Sequence, residues 1–347
     1  MALDQQEYKM RRALVTGGCG FIGSNLTKEL IKQGWQVDII DDMSNGHIEL
    51  LDGLNCRFLP GSGFIKSYNL QYKGLNKYRA NDEVVVMQDD FASSFILEYI
   101  AGKSYDVVFH QAAVPRVSYS VENPEQTTDV NILKTVQLLK ACAGNVDRVV
   151  FASSSSVYGG AEVMPTPEAT EKDPKSPYAW QKSAIEEFAK MCFDLYELDV
   201  VCLRYFNVFG PGQYGDSPYS TAVSAWCHAI KNGLECRSDG DGSQSRDMCY
   251  ISNVVSANIL AANSDHDFMG RCYNIACGDS TTNKDVLSYL QNKRSDIKVR
   301  DAPWRPGDVM HTQADITRAK EELGYEPKVR IWEGLEATIA WWGLNES

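Results

Sequence analysis

The chain lacks any surplus of positive charge: 34 Lys and Arg stand against 46 Asp and Glu, a formal net charge of −12. No Lys/Arg cluster offsets that balance, which argues against a nucleic-acid surface. Histidine is scarce, and the five present are dispersed without ligand spacing. His110 closes an apolar run and reads as structural. The ten cysteines include no Cys-x-x-Cys pair. Cys142, Cys192, Cys202 and Cys227 lie in apolar segments and read as core thiols, while Cys19 is a small residue inside a glycine run. Neither disulfides nor a metal site is expected, and a reducing cytoplasm fits. No apolar run is long enough to span a bilayer, so no membrane contact is expected. The opening Met1 to Met10 is too polar for a secretory signal. Repeats and low-complexity stretches are absent.

What remains is the composition of a soluble globular protein. A length of 347 residues suits one large or two closely associated domains. Short apolar runs read as strands at Arg12–Thr16, Gln36–Ile40, Val84–Met87, Val107–Phe109, Val149–Ala152 and Val200–Tyr205. Helical patterns fall between them, at about Gly20–Gly34, Asn131–Ala143 and Tyr178–Leu195. This alternation predicts an α/β fold with a doubly wound parallel sheet. Residues 1–206 are expected to form a Rossmann dinucleotide-binding domain, to which 248–263 returns as a helix. Residues 207–347 are turn-rich and are expected to form mainly a smaller, substrate-binding lobe. Leu59 to Asp82 is too long for an ordinary connection and reads as a lid, an oligomer contact or a surface excursion.

Gly17, Gly20 and Gly23 form a Gly-x-x-Gly-x-x-Gly run between a strand and a helix. The first permits a tight turn, the second lets a pyrophosphate approach the backbone, and the third permits close helix packing. Asp41, at the end of the second strand, is placed to accept hydrogen bonds from the adenosine ribose and to repel a 2′-phosphate. NAD is therefore favoured over NADP.

Tyr178 and Lys182 lie four apart, hence on one face of a helix. An ammonium beside a phenol favours the phenolate, so Lys182 is expected to lower the Tyr178 pKa and make it a base. The spacing alone also suits an ordinary helix surface.

With these pieces placed, the chain resembles the extended short-chain dehydrogenase/reductase family over nearly its whole length, and within it the UDP-sugar 4-epimerases. The resemblance rests on Val15-Thr-Gly-Gly-Cys-Gly-Phe-Ile-Gly-Ser24, His110-Gln-Ala-Ala113, Phe151-Ala-Ser-Ser-Ser-Ser-Val-Tyr-Gly159, Ser176-Pro-Tyr178, Leu203-Arg-Tyr-Phe-Asn207, Gly240-Asp-Gly-Ser-Gln-Ser-Arg-Asp247 and Arg305-Pro-Gly-Asp308. The runs around Ser245–Tyr250 and Cys272–Ile275 look closest to the UDP-N-acetylhexosamine branch. The resemblance implies that Phe21, Ile22, Asp41, Asp42, Asp90, Phe91, Ala112, Asn131 and Tyr205 line the NAD site. It implies Ser154, Tyr178 and Lys182 as the catalytic set, with Lys182 also on the nicotinamide ribose. Asn207, Arg246, Arg305 and Asp308 should hold the UDP-sugar, and paired guanidinium forks suit a diphosphate.

The related 4,6-dehydratases carry Asp-Glu before the Val-Tyr-Gly, and the UDP-glucuronate decarboxylases a glutamate. Here Ser155 and Ser156 stand in their place and are expected on the substrate side, and unaided serine is no acid or base near neutral pH. Dehydration and decarboxylation are therefore not expected. Thr312 occupies the family's size gate and leaves room for an N-acetyl group, which favours UDP-GlcNAc/UDP-GalNAc, with UDP-Glc/UDP-Gal also accepted. Arg116 reads equally as a surface arginine or as a reader of a uronate carboxylate. Lys134 departs from the glycine usual in relatives. A homodimer through about Glu125–Cys142 and Tyr178–Leu195 is a further implication. A non-catalytic dinucleotide-binding module is the alternative of another class.

Overall fold

The computed structural model describes residues 10–59, 61, 80, 82–216, 220–304 and 309–345. Eight strands form one sheet: β1 (Arg12–Thr16), β2 (Gln36–Asp41), β3 (Asn55–Leu59), β4 (Glu83–Gln88), β5 (Val107–His110), β6 (Arg148–Ser154), β7 (Asp199–Tyr205) and β12 (Cys272–Ile275). Their order is β12-β7-β6-β5-β1-β2-β4-β3, and every neighbouring pair is parallel. The order reverses direction at β1, between β2 and β5, and the crevice at such a switch point is where doubly wound sheets bind ligands.

Strand periodicity divides the core. Ala13, Val15, Val107, Phe109, Val150 and Val201 pack on one face, and Leu14, Val108, Val149, Phe151 and Val200 on the other. The first face is covered by α1 (Phe21–Lys32), through Leu26 and Leu30, and by α8 (Ile251–Asn263), through Val254, Ala257 and Ala261. The second is covered by α2 (Ser94–Ala101), α5 (Thr135–Cys142) and α6 (Pro177–Tyr196). Between α2 and α5 lie α3 (Val117–Glu122), α4 (Pro124–Thr128) and a π-helical stretch, Asp129–Lys134.

The remaining elements are short: strands β8 (Val208–Phe209), β9 (Cys236–Asp239), β10 (Ser245–Arg246), β11 (Cys249–Tyr250), β13 (Thr281–Thr282) and β14 (Val299–Ala302), paired two by two. With α7 (Ala222–Lys231), α9 (Asn283–Lys293), α10 (Thr317–Leu323) and α11 (Ile331–Trp341) they make up most of the C-terminal part. A separate apolar cluster of Trp226, Met248, Leu287, Leu335 and Trp342 holds that part together.

Three features depart from the sequence reading. The expected helix at Asn131–Ala143 begins as a π-helical stretch and becomes α-helical only at Thr135. Strand β3, partly exposed, lacks the apolar signature of the others. Strand β12 comes from the C-terminal part yet completes the main sheet beside β7. Residues 62–79, the core of the long Leu59–Asp82 segment, lie outside the described residues. No described helix is long and apolar enough to cross a membrane.

Candidate active site

The glycine run makes a cradle at the carboxyl end of β1. Gly17 has φ +68, and a Cβ there would stand 2.8 Å from the Ala112 nitrogen. A Cβ on Gly23 would stand 2.2 Å from the Gly17 oxygen, so close packing of helix on turn demands glycine. Gly20 differs. Its nearest protein neighbour would be the Gly17 oxygen at 3.2 Å, so the space it leaves is open to a ligand. Gly20 caps α1 with no side-chain cap, and the first turn holds no acid. Phe21 and Ile22 pack their side chains on the core beneath. The resulting N-terminus, positive and uncapped, suits a pyrophosphate.

Asp41 follows at the end of β2. Its carboxylate accepts from Cys19 N and Met43 N, both at 2.9 Å, which fixes it beside the glycine turn. Burial pushes its pKa up, against the pull of these two bonds. Asp42 is exposed and accepts from Ser44. Asp90 follows β4 and caps Ala92 N at 2.9 Å, and the ring of Phe91 is buried edge-on to His110 with centroids 4.9 Å apart. Ala112 N donates to the Thr16 hydroxyl at 3.1 Å. These residues line the carboxyl ends of β1, β2, β4 and β5, where a dinucleotide crosses such a sheet.

Two residues expected on the cofactor also brace the fold. Asn131 donates from Nδ2 to Val114 O and to Gln181 Oε1, and accepts from Val114 N. Both its donors are used within the protein, and it holds the loop after β5. The Tyr205 hydroxyl lies 3.2 Å from Gln111 Oε1 and 3.1 Å from Asn258 Oδ1, either of which can take its one hydrogen, and it accepts from Asn258 Nδ2, tying β7 to α8.

Ser154 ends β6, while Tyr178 and Lys182 lie on the first two turns of α6. The helix starts there because Ser176 caps Ala179 N and Pro177 occupies the first turn. Ser120 on α3 accepts from Tyr178 N at 3.0 Å, so α3 also steadies this end. The Ser154 hydroxyl lies beside the Tyr178 phenol and favours its ionised form. Lys182 donates to Ala152 O at 2.7 Å, and its nitrogen stands 5.7 Å from the Tyr178 ring centroid.

The structure corrects one expectation here. Burial pushes the Tyr178 phenol up to about 12, opposed by the Ser154 hydroxyl. Burial brings Lys182 itself down to about 8. The phenol is therefore neutral near pH 7 in this state, and phenolate formation needs further positive charge.

Below the set lies a buried network that sequence reasoning missed. Glu186 continues the Tyr178–Lys182 ladder by one more turn. It accepts from Ser153 Oγ at 2.6 Å and from Arg204 at 2.8 and 2.7 Å. Arg204 also donates to Tyr158 Oη at 2.7 Å. Ser153 sits between Ala152, which holds Lys182, and Ser154. The network thus locks β6, β7 and α6 in register. The i, i+4, i+8 pattern of Tyr178, Lys182 and Glu186 was the available signal.

In the C-terminal part, Asn207 joins β7 to β8 at φ +28. Its Nδ2 donates to Asp247 O and to Thr312 Oγ1 at 3.3 and 3.2 Å. Thr312 Oγ1 also accepts from Asp247 N at 3.2 Å. Arg246 is anchored through Nη1 to Ser245 O and Met310 O. Asp247, also missed, accepts from the nitrogens of Cys277, Gly278 and Ala314 and pins three segments together. Ser155 and Ser156 form a 3₁₀ turn after Ser154, and the buried Ser156 hydroxyl has no hydrogen-bond partner. Arg116 is the N-cap of α3, partly exposed. Arg305 and Asp308 lie outside the described residues.

A glycine turn open to a phosphate, a fixed acid at the end of β2 and a Ser-Tyr-Lys set at the same end of a doubly wound sheet fit a dinucleotide-dependent enzyme working on hydroxyl and carbonyl groups. The chain belongs to the NAD dependent epimerase/dehydratase family, whose model matches residues 13–276. It is an NAD-dependent epimerase, an isomerase. A UDP-glucose 4-epimerase from Mycolicibacterium smegmatis is 31% identical over 336 residues, 94% of this chain and 97% of the relative. A UDP-glucuronate 4-epimerase from Thermodesulfobacterium geofontis is 30% identical, covering 94% and 95%. Among solved structures, a UDP-N-acetylglucosamine 4-epimerase from Methanobrevibacter ruminantium, in complex with UDP-N-acetylmuramic acid, superposes with a TM-score of 0.83. It is 35% identical, with 96% of this chain and 98% of that one covered.

Proposed function

We propose that this epimerase inverts C4 of a UDP-sugar, with UDP-GlcNAc and UDP-GalNAc as its preferred pair and UDP-Glc and UDP-Gal as secondary substrates. The observation that carries the reading is Ser154 at the end of β6 beside the Tyr178 phenol, with Lys182 one turn on and serines rather than acids at 155 and 156. NAD supplies a hydride acceptor for C4 and, oxidised, a positive charge that favours a phenolate. Tyr178 removes the proton from the 4-hydroxyl and later returns it. Ser154 stays hydrogen-bonded to the oxygen as the 4-keto sugar forms. Lys182, fixed by Ala152 O, holds positive charge behind the phenol. Arg246 and Arg305 anchor the diphosphate while the keto sugar turns over and presents its other face.

In this reading, residues 1–206 with 248–263 serve the cofactor, and 207–347 serve mainly the sugar nucleotide. The N-acetyl preference rests on threonine at position 312 and on the likeness to the M. ruminantium enzyme. A second reading, a uronate substrate, is favoured by Arg116, which opens the helix whose Ser120 holds Tyr178 N. A homodimer is part of the proposal. Leu133, Trp180, Met191 and Leu195 are 53%, 51%, 46% and 65% exposed along the two stretches expected to pair. A monomeric mass by light scattering would remove the dimer.

Proton NMR of the protein with UDP-GlcNAc, UDP-Glc and UDP-GlcA in parallel tests the activity. A UDP-GalNAc anomeric signal supports the proposal. Turnover of UDP-Glc alone keeps the chemistry and discards the pocket argument. Turnover of UDP-GlcA alone moves Arg116 to the front, and silence in all three tubes overturns the reading.

A further inference from the structure

Lys134, the residue that departs from the family's usual glycine, ends the π-helical stretch. Its ammonium lies 2.7 Å from Asp90 Oδ2 and 3.3 Å from Asp129 Oδ2. Asp90 belongs to the loop after β4, and that loop is tied to the cofactor's ribose anchor, because Asp89 N donates to Asp41 O at 3.1 Å. Three residues earlier on the same stretch, Asn131 grips Val114 in the loop after β5. In the sheet, β1 and β2 lie between β4 and β5. One short stretch is therefore fastened to both flanking loops and spans the strand ends that hold Gly17 and Asp41. π-Helical turns are rare and concentrate at functional positions. The two fastenings differ in kind: Asn131 is buried, whereas the Lys134 and Asp90 side chains are 27% and 38% exposed and open to screening by salt.

We propose that Lys134 is a clasp over the adenosine end of the bound dinucleotide, closing the cofactor site through Asp90 and setting how long NAD stays bound. Lys134 is a positioning residue and performs no chemistry. A cofactor regenerated in every turnover gains from slow release, and an ion pair across the site's rim slows it without touching the reacting atoms. The pair's oxygen on Asp90 is Oδ2, while Oδ1 remains on Ala92 N, so the clasp also fixes which way Asp90 faces.

The test is loss of copurified NAD from the holoenzyme, followed by gel filtration and chromatography of the released nucleotide, at low and high salt. Lys134→Ala should release NAD about two- to fivefold faster at low salt, the range a partly exposed ion pair supports. The gap from the native protein should narrow at high salt. Lys134→Arg should release at the native rate, and the melting temperatures of both variants should stay near the native value. Equal release from the native protein and Lys134→Ala at every salt concentration would overturn the proposal. So would equal acceleration in Lys134→Arg, which would point to packing rather than charge. Because the readout is NAD retention, it stands or falls independently of which sugar is the substrate.

Discussion

Ser154 and the Tyr178–Lys182 pair are carried by a seven-residue strand and a twenty-residue helix, whereas Arg246 hangs on a two-residue strand and Thr312 on the loop beside it. The first group is set in a sheet packed on both faces and pinned by a buried ion pair. The second is set by side chains bonding to backbone across loops. Long elements fix reacting groups firmly, because each residue is held by its neighbours' packing. Short ribbons leave the residues proposed to face the sugar adjustable. The contrast implies that changes on the first side should abolish the reaction or the fold, while changes on the second should redirect the reaction.

The largest effect belongs to the phenol. Tyr178→Phe should lower kcat by about 10²–10⁴-fold, the usual scale for a positioned acid–base group, with NAD still bound. Near-native turnover would take Tyr178 out of the mechanism and dissolve the contrast. The same side should be costly in stability. Glu186 and Arg204 have side chains 0% and 5% exposed, so Glu186→Gln leaves an uncompensated buried charge, at a cost of about 3–5 kcal/mol in urea unfolding. Arg237→Ala breaks a half-exposed pair with Asp239 in the C-terminal part and should cost below about 1 kcal/mol. Similar costs for the two would mean that the parts are equally rigid.

A smaller effect of the same origin appears with pH. His110 bonds Thr16 and Thr135 deep in the sheet, and burial, with Lys182 nearby, brings it down to about 3 from 6.5. Its folded pKa lies below its unfolded one, so the unfolded chain takes up the proton first. The stabilisation is present above pH 6.5 and is lost as pH falls towards 3. At pH 5 the loss should be about 2 kcal/mol, and His110→Gln should remove that slope. Equal slopes in the two proteins would sink the assignment.

Much of the cofactor side was legible because its signals are local and periodic. Apolar runs marked β1, β2 and β4 to β7, glycine spacing marked the turn, and i, i+4 spacing placed Tyr178 and Lys182 on one face. The charge state of the pair was not legible. It depends on how completely tertiary packing removes water, and here burial overrides the lysine's attraction for a phenolate. Nor were the saturated amide of Asn131 and the Arg204–Glu186 lock, since both join residues far apart in sequence. On the sugar side only motifs spoke. Strands of two residues carry no periodicity, and β12 is too short and too distant in sequence to announce its place beside β7.

The mildest intervention bears most directly on the contrast. Thr312 does two things: it is small, and its hydroxyl joins Asn207 Nδ2 to Asp247 N. Thr312→Tyr fills the proposed gate and displaces that hydroxyl, whereas Thr312→Val keeps the volume and loses only the bonds. If size sets the preference, Thr312→Tyr should lower kcat/KM for UDP-GlcNAc at least about tenfold relative to UDP-Glc, in the range of steric pocket discrimination. Thr312→Val should then lower both substrates alike. If Val shifts the ratio as Tyr does, the hydroxyl network rather than the volume reads the sugar, and position 312 acts through Asn207. If neither moves it, the preference lies elsewhere in the pocket, and the sugar side is less adjustable than its short strands imply.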